Sequence, residues 1–260
     1  MHRLAVVLAL VGCSQKRPEE PAPAGGGSTV ARATPDAAPP VLVSIGTDAP
    51  PTVPRPKIVD KPMVWTAERE RLTLDYRKEH SDPAAKDVDI TPRVVVLHYT
   101  AGPTAKSTLD YFDNIRIEAE RRDVLAAGAV NVSSHYVIDR DGTIYQIQPD
   151  TRFARHCIGL NHISIGIENA GDGDVGAKVK FPLTDAQVAA NIALVRYLAS
   201  RYPITHVVGH SEMPKFRDHP YYLERDAKYF GYKSDPGAVF LARVREGIAD
   251  MKLSDAEGRP

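Results

Sequence analysis

Eleven of the chain's 21 prolines fall between residues 14 and 62, together with Gly25-Gly26-Gly27, Pro39-Pro40 and Pro50-Pro51. Proline fixes φ and removes a backbone donor, so a stretch this dense in it can neither run a helix nor sit inside a sheet. Residues 14–62 are therefore expected to form a disordered, solvated tether, partly polyproline-like. Largely extended at about 3.1 Å per residue, it would reach on the order of 100 Å. The core must come from the C-terminal remainder of the chain: one domain over residues 63–252, with a flexible tail at 253–260. The chain has 260 residues, 43% of them hydrophobic and 25% charged, which gives enough apolar material for such a domain.

Charge and cysteine content narrow the function. Lysine plus arginine number 33 against 33 aspartates and glutamates, so nothing in the balance points to nucleic acid. Cys13 and Cys157 are the two cysteines, too few and too far apart for a disulfide framework or a cysteine-rich zinc knuckle. Nine histidines remain for metal or acid–base chemistry. Ahead of the tether, His2 and Arg3 precede an apolar run over residues 4–11, far shorter than the roughly 20 residues a spanning helix needs. It reads as a secretory signal over residues 1–13. Leu10-Val11-Gly12-Cys13 resembles the lipobox of bacterial lipoproteins. That resemblance implies lipidation at Cys13, a membrane reached through the lipid, and a place in the cell envelope facing the periplasm. Ser14 is compatible with the outer membrane.

Within the domain, residues 93–98 are a short β-branched run ending at His98-Tyr99-Thr100, the pattern of a buried strand. Residues 105–127 carry helical spacing with Leu109, Phe112 and Ile115 on one face, and Gly128 is expected to end that helix. Residues 134–138 and 143–147 flank Asp141-Gly142, a hairpin signal. Residues 163–168 alternate strictly, setting Ile163, Ile165 and Ile167 on one face and Ser164, Gly166 and Glu168 on the other. The missing side chain at Gly166 suggests room there for a substrate. Thr184 and Gln187 form a capping box before a helix carrying Val188, Ile192, Val195 and Leu198. A strand over 205–210 and a terminal helix over 236–251 complete the order. This is an α/β fold: a mixed central sheet flanked by helices.

Chemistry gathers at strand ends. His98 closes one strand, His210 another, and Asp235 sits in Lys233-Ser234-Asp235-Pro236-Gly237 before the last helix. Two imidazoles and a carboxylate can hold zinc and leave a fourth position open, the catalytic pattern. Ser211 to Ser234 supplies rival ligands in Asp218, His219 and Asp226, and its tyrosines suit a groove wall. Cys157 reads as a small buried thiol. His162, His206 and His219 read as surface or loop residues, and His80 as marginal to the domain.

Taken in order, His98-Tyr99-Thr100, Ser134-His135-Tyr136-Val137-Ile138-Asp139, Ser164-Ile165-Gly166-Ile167-Glu168, Gly209-His210 and Lys233-Ser234-Asp235-Pro236-Gly237 resemble the zinc-dependent N-acetylmuramoyl-L-alanine amidases of the type 2 family, which share their fold with peptidoglycan recognition proteins. The resemblance covers about residues 91–248. It implies His98, His210 and Asp235 as ligands of Zn2+, Glu168 and Lys233 as catalytic groups beside the metal, and His135 and His156 lining the substrate groove. It also implies a monomer whose partners are peptidoglycan or muropeptides, and cleavage of the amide between N-acetylmuramic acid and L-alanine. A peptidoglycan-binding module without hydrolysis is the alternative.

Overall fold

A computed structural model describes residues 53–174 and 178–259, so Cys13, the signal and most of the tether lie outside the described residues. Six strands form one mixed sheet: β1 (Ile58–Asp60), β2 (Val94–Tyr99), β3 (Tyr136–Ile138), β4 (Ile144–Gln146), β5 (Ser164–Asn169) and β6 (His206–Gly209), in the order β1-β4-β3-β5-β2-β6. Strands β2, β5 and β6 run parallel, β3 runs parallel to β5 and antiparallel to β4, and β1 runs parallel to β4. By that chain of pairings β1 points opposite to β2, β5 and β6. The chain thus enters the sheet at the rim where β2, β5 and β6 end, on the far edge. Ser254 pairs with His206, at the opposite rim.

Alternation along the central strands sorts side chains onto two covered faces. Val95, Leu97, Ile165, Ile167 and Val207 pack against Val188, Leu194, Val195 and Leu198 of α4 (Asp185–Arg201) and Phe240, Leu241 and Val244 of α5 (Ala238–Gly247). Each such side chain contributes about 1.5–3 kcal/mol by leaving water. On the other face Val94, Val96 and Val208 meet Cys157, Leu160, Met213 and Phe216. Ile163 precedes β5 and packs with this second cluster, so the three isoleucines do not share a face. The capping box at Thr184 and Gln187 forms as the sequence predicts.

Three departures from the expected elements have physical causes. The helix expected over 105–127 is two helices, α2 (Ala105–Phe112) and α3 (Arg122–Ala126). Buried Arg69 donates to the carbonyls of Phe112 (2.8 Å), Asp113 (3.1 Å) and Asn114 (2.7 Å), satisfying the helix end from outside. Residues 115–117 then pair with 129–131 instead. Folded structure also begins before residue 63, at β1, and an unforeseen helix, α1 (Ala67–His80), covers Val88, Val130 and Phe153 through Leu72 and Tyr76. Finally, part of the expected tail is fixed: Asp255 and Ala256 are buried, and Asp255 is bonded to Arg259. Among the described residues no helix is long and apolar enough to cross a membrane.

Candidate metal centre

The parallel register brings the ends of β2, β5 and β6 to one rim, with His98 directly paired to Glu168 and Leu97 to Gly209. His210 follows β6 as the first residue of a 3-10 turn, His210–Phe216. Asp235 arrives from the next segment, and the Ser211 N–H donates to its backbone carbonyl at 2.9 Å. Its loop is pinned from behind by Asp174, whose carboxylate accepts from the N–H groups of Val239 and Phe240, both at 2.8 Å. Gly237 lies at φ 102°, and a Cβ there would stand 2.2 Å from that carboxylate, so glycine is required.

His98 Nδ1 lies 3.0 Å and His210 Nδ1 3.3 Å from the same oxygen, Asp235 Oδ2, and one ligand atom from each residue falls within 4.8 Å of the others. All three residues are buried. Burial alone would raise the Asp235 carboxyl, but His210 and the close approach of both imidazoles hold it well below the ordinary range. Burial pushes His98 down to about 4, against the pull of Asp235. Two ring nitrogens and an ionised carboxylate converging on one point form the donor set of an open zinc site. The residues present fit such an ion.

Glu168 lies beside this cluster, partly buried, with Oε2 shielded from water and without a hydrogen-bond partner. Burial first, then the charge of Asp235, raises its carboxyl well above the usual range, while Lys233 opposes the shift. Partly buried Lys233 precedes Asp235 by two residues, and the intervening Ser234 hydroxyl meets the Tyr99 hydroxyl at 3.0 Å. The arrangement offers a proton acceptor and a cation flanking three ligand atoms.

His156 stands beside the cluster and stays partly exposed, and His135 packs against it. His135 is fully buried: its Nε2–H donates to the Arg152 carbonyl at 2.8 Å, and its Nδ1 accepts from the Gly166 N–H at 3.0 Å. Both nitrogens are spent on backbone. His156 stands against His98, Nδ1 to Nε2 at 3.0 Å. Its ring fills the space over Gly166, where a Cβ would lie 2.8 Å away, so that space belongs to an imidazole rather than to substrate.

The rival ligands stay apart. Asp218 is exposed, His219 Nδ1 accepts from the Tyr221 N–H at 3.1 Å, and Asp226 caps the Lys228 N–H at 2.9 Å. Cys157 is buried in the second apolar cluster, as expected. The 211–234 segment docks on α1: Glu224 meets His80 at 2.8 Å, and Arg225 donates to the carbonyls of Lys78 and Glu79. His80 and His206, expected to be marginal or exposed, are both buried. Sequence reading also misses Asn169, whose amide donates to the His98 carbonyl at 3.0 Å while its own oxygen accepts from Asn191. An amide closing a buried strand is the available signal.

Residues 88–238 match the family model described as N-acetylmuramoyl-L-alanine amidase. The chain is 28% identical over 100 residues to the endolysin of Escherichia phage T7, covering 38% of this chain and 66% of the phage protein, just under two thirds of its length. Among solved structures it resembles the endolysin amidase LysCS from Clostridium intestinale URNW, at 22% identity and a TM-score of 0.44, covering 76% of this chain and 97% of that one. It also resembles human PGRP-IβC in complex with a glycosamyl muramyl pentapeptide, at 17% identity and a TM-score of 0.40, covering 60% and 83%.

Proposed function

The chain belongs to the N-acetylmuramoyl-L-alanine amidase family, and on that premise we propose that it hydrolyses the amide between the lactyl group of N-acetylmuramic acid and the L-alanine of the stem peptide, with zinc held by His98, His210 and Asp235. The observation that carries this reading is the convergence of three buried ligand atoms within 4.8 Å, from segments far apart in the chain. Zinc bound there supplies Lewis-acid activation of water and of the scissile carbonyl near neutral pH.

The protein's own groups do the rest. Glu168, whose carboxyl burial has already made more basic, takes a proton from the attacking water. It then delivers that proton to the alanine nitrogen as the carbon–nitrogen bond breaks, leaving a lactyl carboxylate and a free amine. The Lys233 ammonium stands where negative charge develops on the carbonyl oxygen and stabilises it. The apolar run ending at Cys13 and the proline-rich stretch support a lipid-anchored envelope protein, facing the periplasm from the outer membrane. Loss of membrane partition in Cys13→Ser is the expected result.

Mass spectrometry of products from purified wall sacculi tests the reaction. Release of peptides with a free L-alanine amine, abolished by a chelator and restored by zinc, is expected. Binding of sacculi by zinc-loaded protein with no such peptide would establish the non-catalytic binding protein instead.

A further inference from the structure

The imidazole behind His98 is itself held from behind, and the polarity of that chain of bonds is fixed by its far end. The Ser164 hydroxyl lies 2.7 Å from the Leu160 carbonyl, an acceptor only, so the hydroxyl donates its single hydrogen there. Its oxygen is left to accept, and His156 Nε2 lies 3.1 Å from it. The Ser164 backbone carbonyl, 3.5 Å from the same nitrogen, also only accepts. His156 must therefore carry its proton on Nε2, which leaves Nδ1 as a lone pair 3.0 Å from His98 Nε2. That contact needs a hydrogen, and His98 supplies it. A neutral His98 protonated on Nε2 keeps the lone pair of Nδ1 for a cation, which would take the place of a hydrogen in the 3.0 Å contact with Asp235.

We propose that His156 is a positioning residue: through Ser164 and the Leu160 carbonyl it fixes the tautomer and orientation of His98, so that Nδ1 is the ligand atom. The inference rests on the reading of His98 as a zinc ligand. It accounts for Gly166, since any side chain there would strike the His156 ring. The ring centroids lie 5.1 Å apart, a spacing that suits a bond between the two ring edges. A carboxylate or carbonyl behind a ligating histidine is the usual device; here an imidazole and a hydroxyl carry the polarity from a carbonyl two steps further away.

Zinc affinity, measured by competition with a chelating dye on the purified full chain, provides the test. Removing the acceptor in His156→Leu should weaken zinc by roughly 10–100-fold, the usual cost of losing a partner behind a ligand. His156→Asn, whose amide oxygen sits near the place of Nδ1, should recover most of it. Ser164→Ala, which touches no ligand, should lose less, at least about threefold. Long-range proton–nitrogen correlation on the zinc-loaded wild type should place the His156 proton on Nε2, a readout independent of whether any variant folds. A proton on Nδ1 would overturn the proposal, as would His156→Leu binding zinc within about threefold of wild type. His98→Ala separates the two readings: if it keeps zinc, the ligand assignment fails; if it loses zinc while His156→Leu does not, only the relay fails.

Discussion

His98 and His80 each set Nδ1 close to a carboxylate oxygen, 3.0 Å from Asp235 and 2.8 Å from Glu224, and both rings are almost fully buried. The His80 imidazole itself is closed on both sides. Its Nε2 donates to the Ala127 carbonyl at 2.7 Å, so both ring nitrogens face acceptors. Burial lowers its pKa, but the Glu224 bond and the Ala127 carbonyl outweigh burial and leave it raised. Around Asp235 two imidazoles point at one carboxylate oxygen, and Glu168 stands alongside with a buried oxygen that nothing answers. The first cluster holds α1 to the 211–234 segment; the second crowds two imidazoles onto one oxygen and leaves a buried carboxylate oxygen without a donor. Residue type and burial are alike in both, and what distinguishes a staple from an ion site is whether the hydrogen bonds close.

The sharpest test of that contrast removes the central carboxylate of the open cluster. Asp235→Ala should lose zinc by more than the roughly 10–100-fold typical of a group behind a ligand, with turnover falling to background. Asp218→Ala should keep it. Chelator competition on both variants decides this, and tight zinc in Asp235→Ala would break the contrast. Next in size, Glu168→Gln should cut turnover at saturating zinc by roughly 10²-fold or more while zinc and sacculus binding survive. Turnover within a few-fold of wild type would return Glu168 to a structural role.

The closed cluster should respond in the opposite way. His80→Leu leaves Glu224 buried without its partner and should cost about 3 kcal/mol in urea unfolding, with turnover of the folded fraction within a few-fold of wild type. The smallest expected effect is on pH. The folded pKa of His80 is raised, so the stability it draws from Glu224 is fully present below the ordinary imidazole value of about 6.5 and lost as pH rises through the elevated one. The stability gap between wild type and Glu224→Gln should therefore narrow from pH 6 upward. A constant or widening gap would mean that the ring is neutral.

The imidazoles of the open cluster are readable because His98 and His210 sit at strand ends, and strand ends meet at a rim whatever the intervening sequence does. Asp235, 137 positions from His98, closes no strand and is readable from its Lys-Ser-Asp-Pro-Gly motif instead. The staple gives no such sign, since His80 lies in a helix with little apolar pattern, Ala-Glu-Arg-Glu-Arg-Leu-Thr-Leu-Asp-Tyr-Arg-Lys-Glu-His. Its buried face includes Arg69 and His80, which look like surface residues until partners from residues 112–114 and from Glu224 are in place. The same absence of local signal hides the break after Phe112. The periodicity over 105–127 continues past it, and only Arg69, from elsewhere in the chain, ends the helix. Gly166 shows the complementary error: its bareness does make room, but the occupant is His156 rather than a substrate.

The direction of β1 has a consequence for how the molecule can be held. Because β1 runs against β2, β5 and β6, the chain preceding Ile58 enters at the same rim as His98, His210 and Asp235, three strand spacings or about 14 Å from β5. An anchor upstream of Ile58 therefore suspends the domain mouth-down, and the length of chain between anchor and strand sets the stand-off. Ser254 lies at the other rim. A domain fixed to a bead close to Ile58 should be slow on insoluble wall and recover as spacer is added. The same domain fixed behind Ser254 should be indifferent to spacer length.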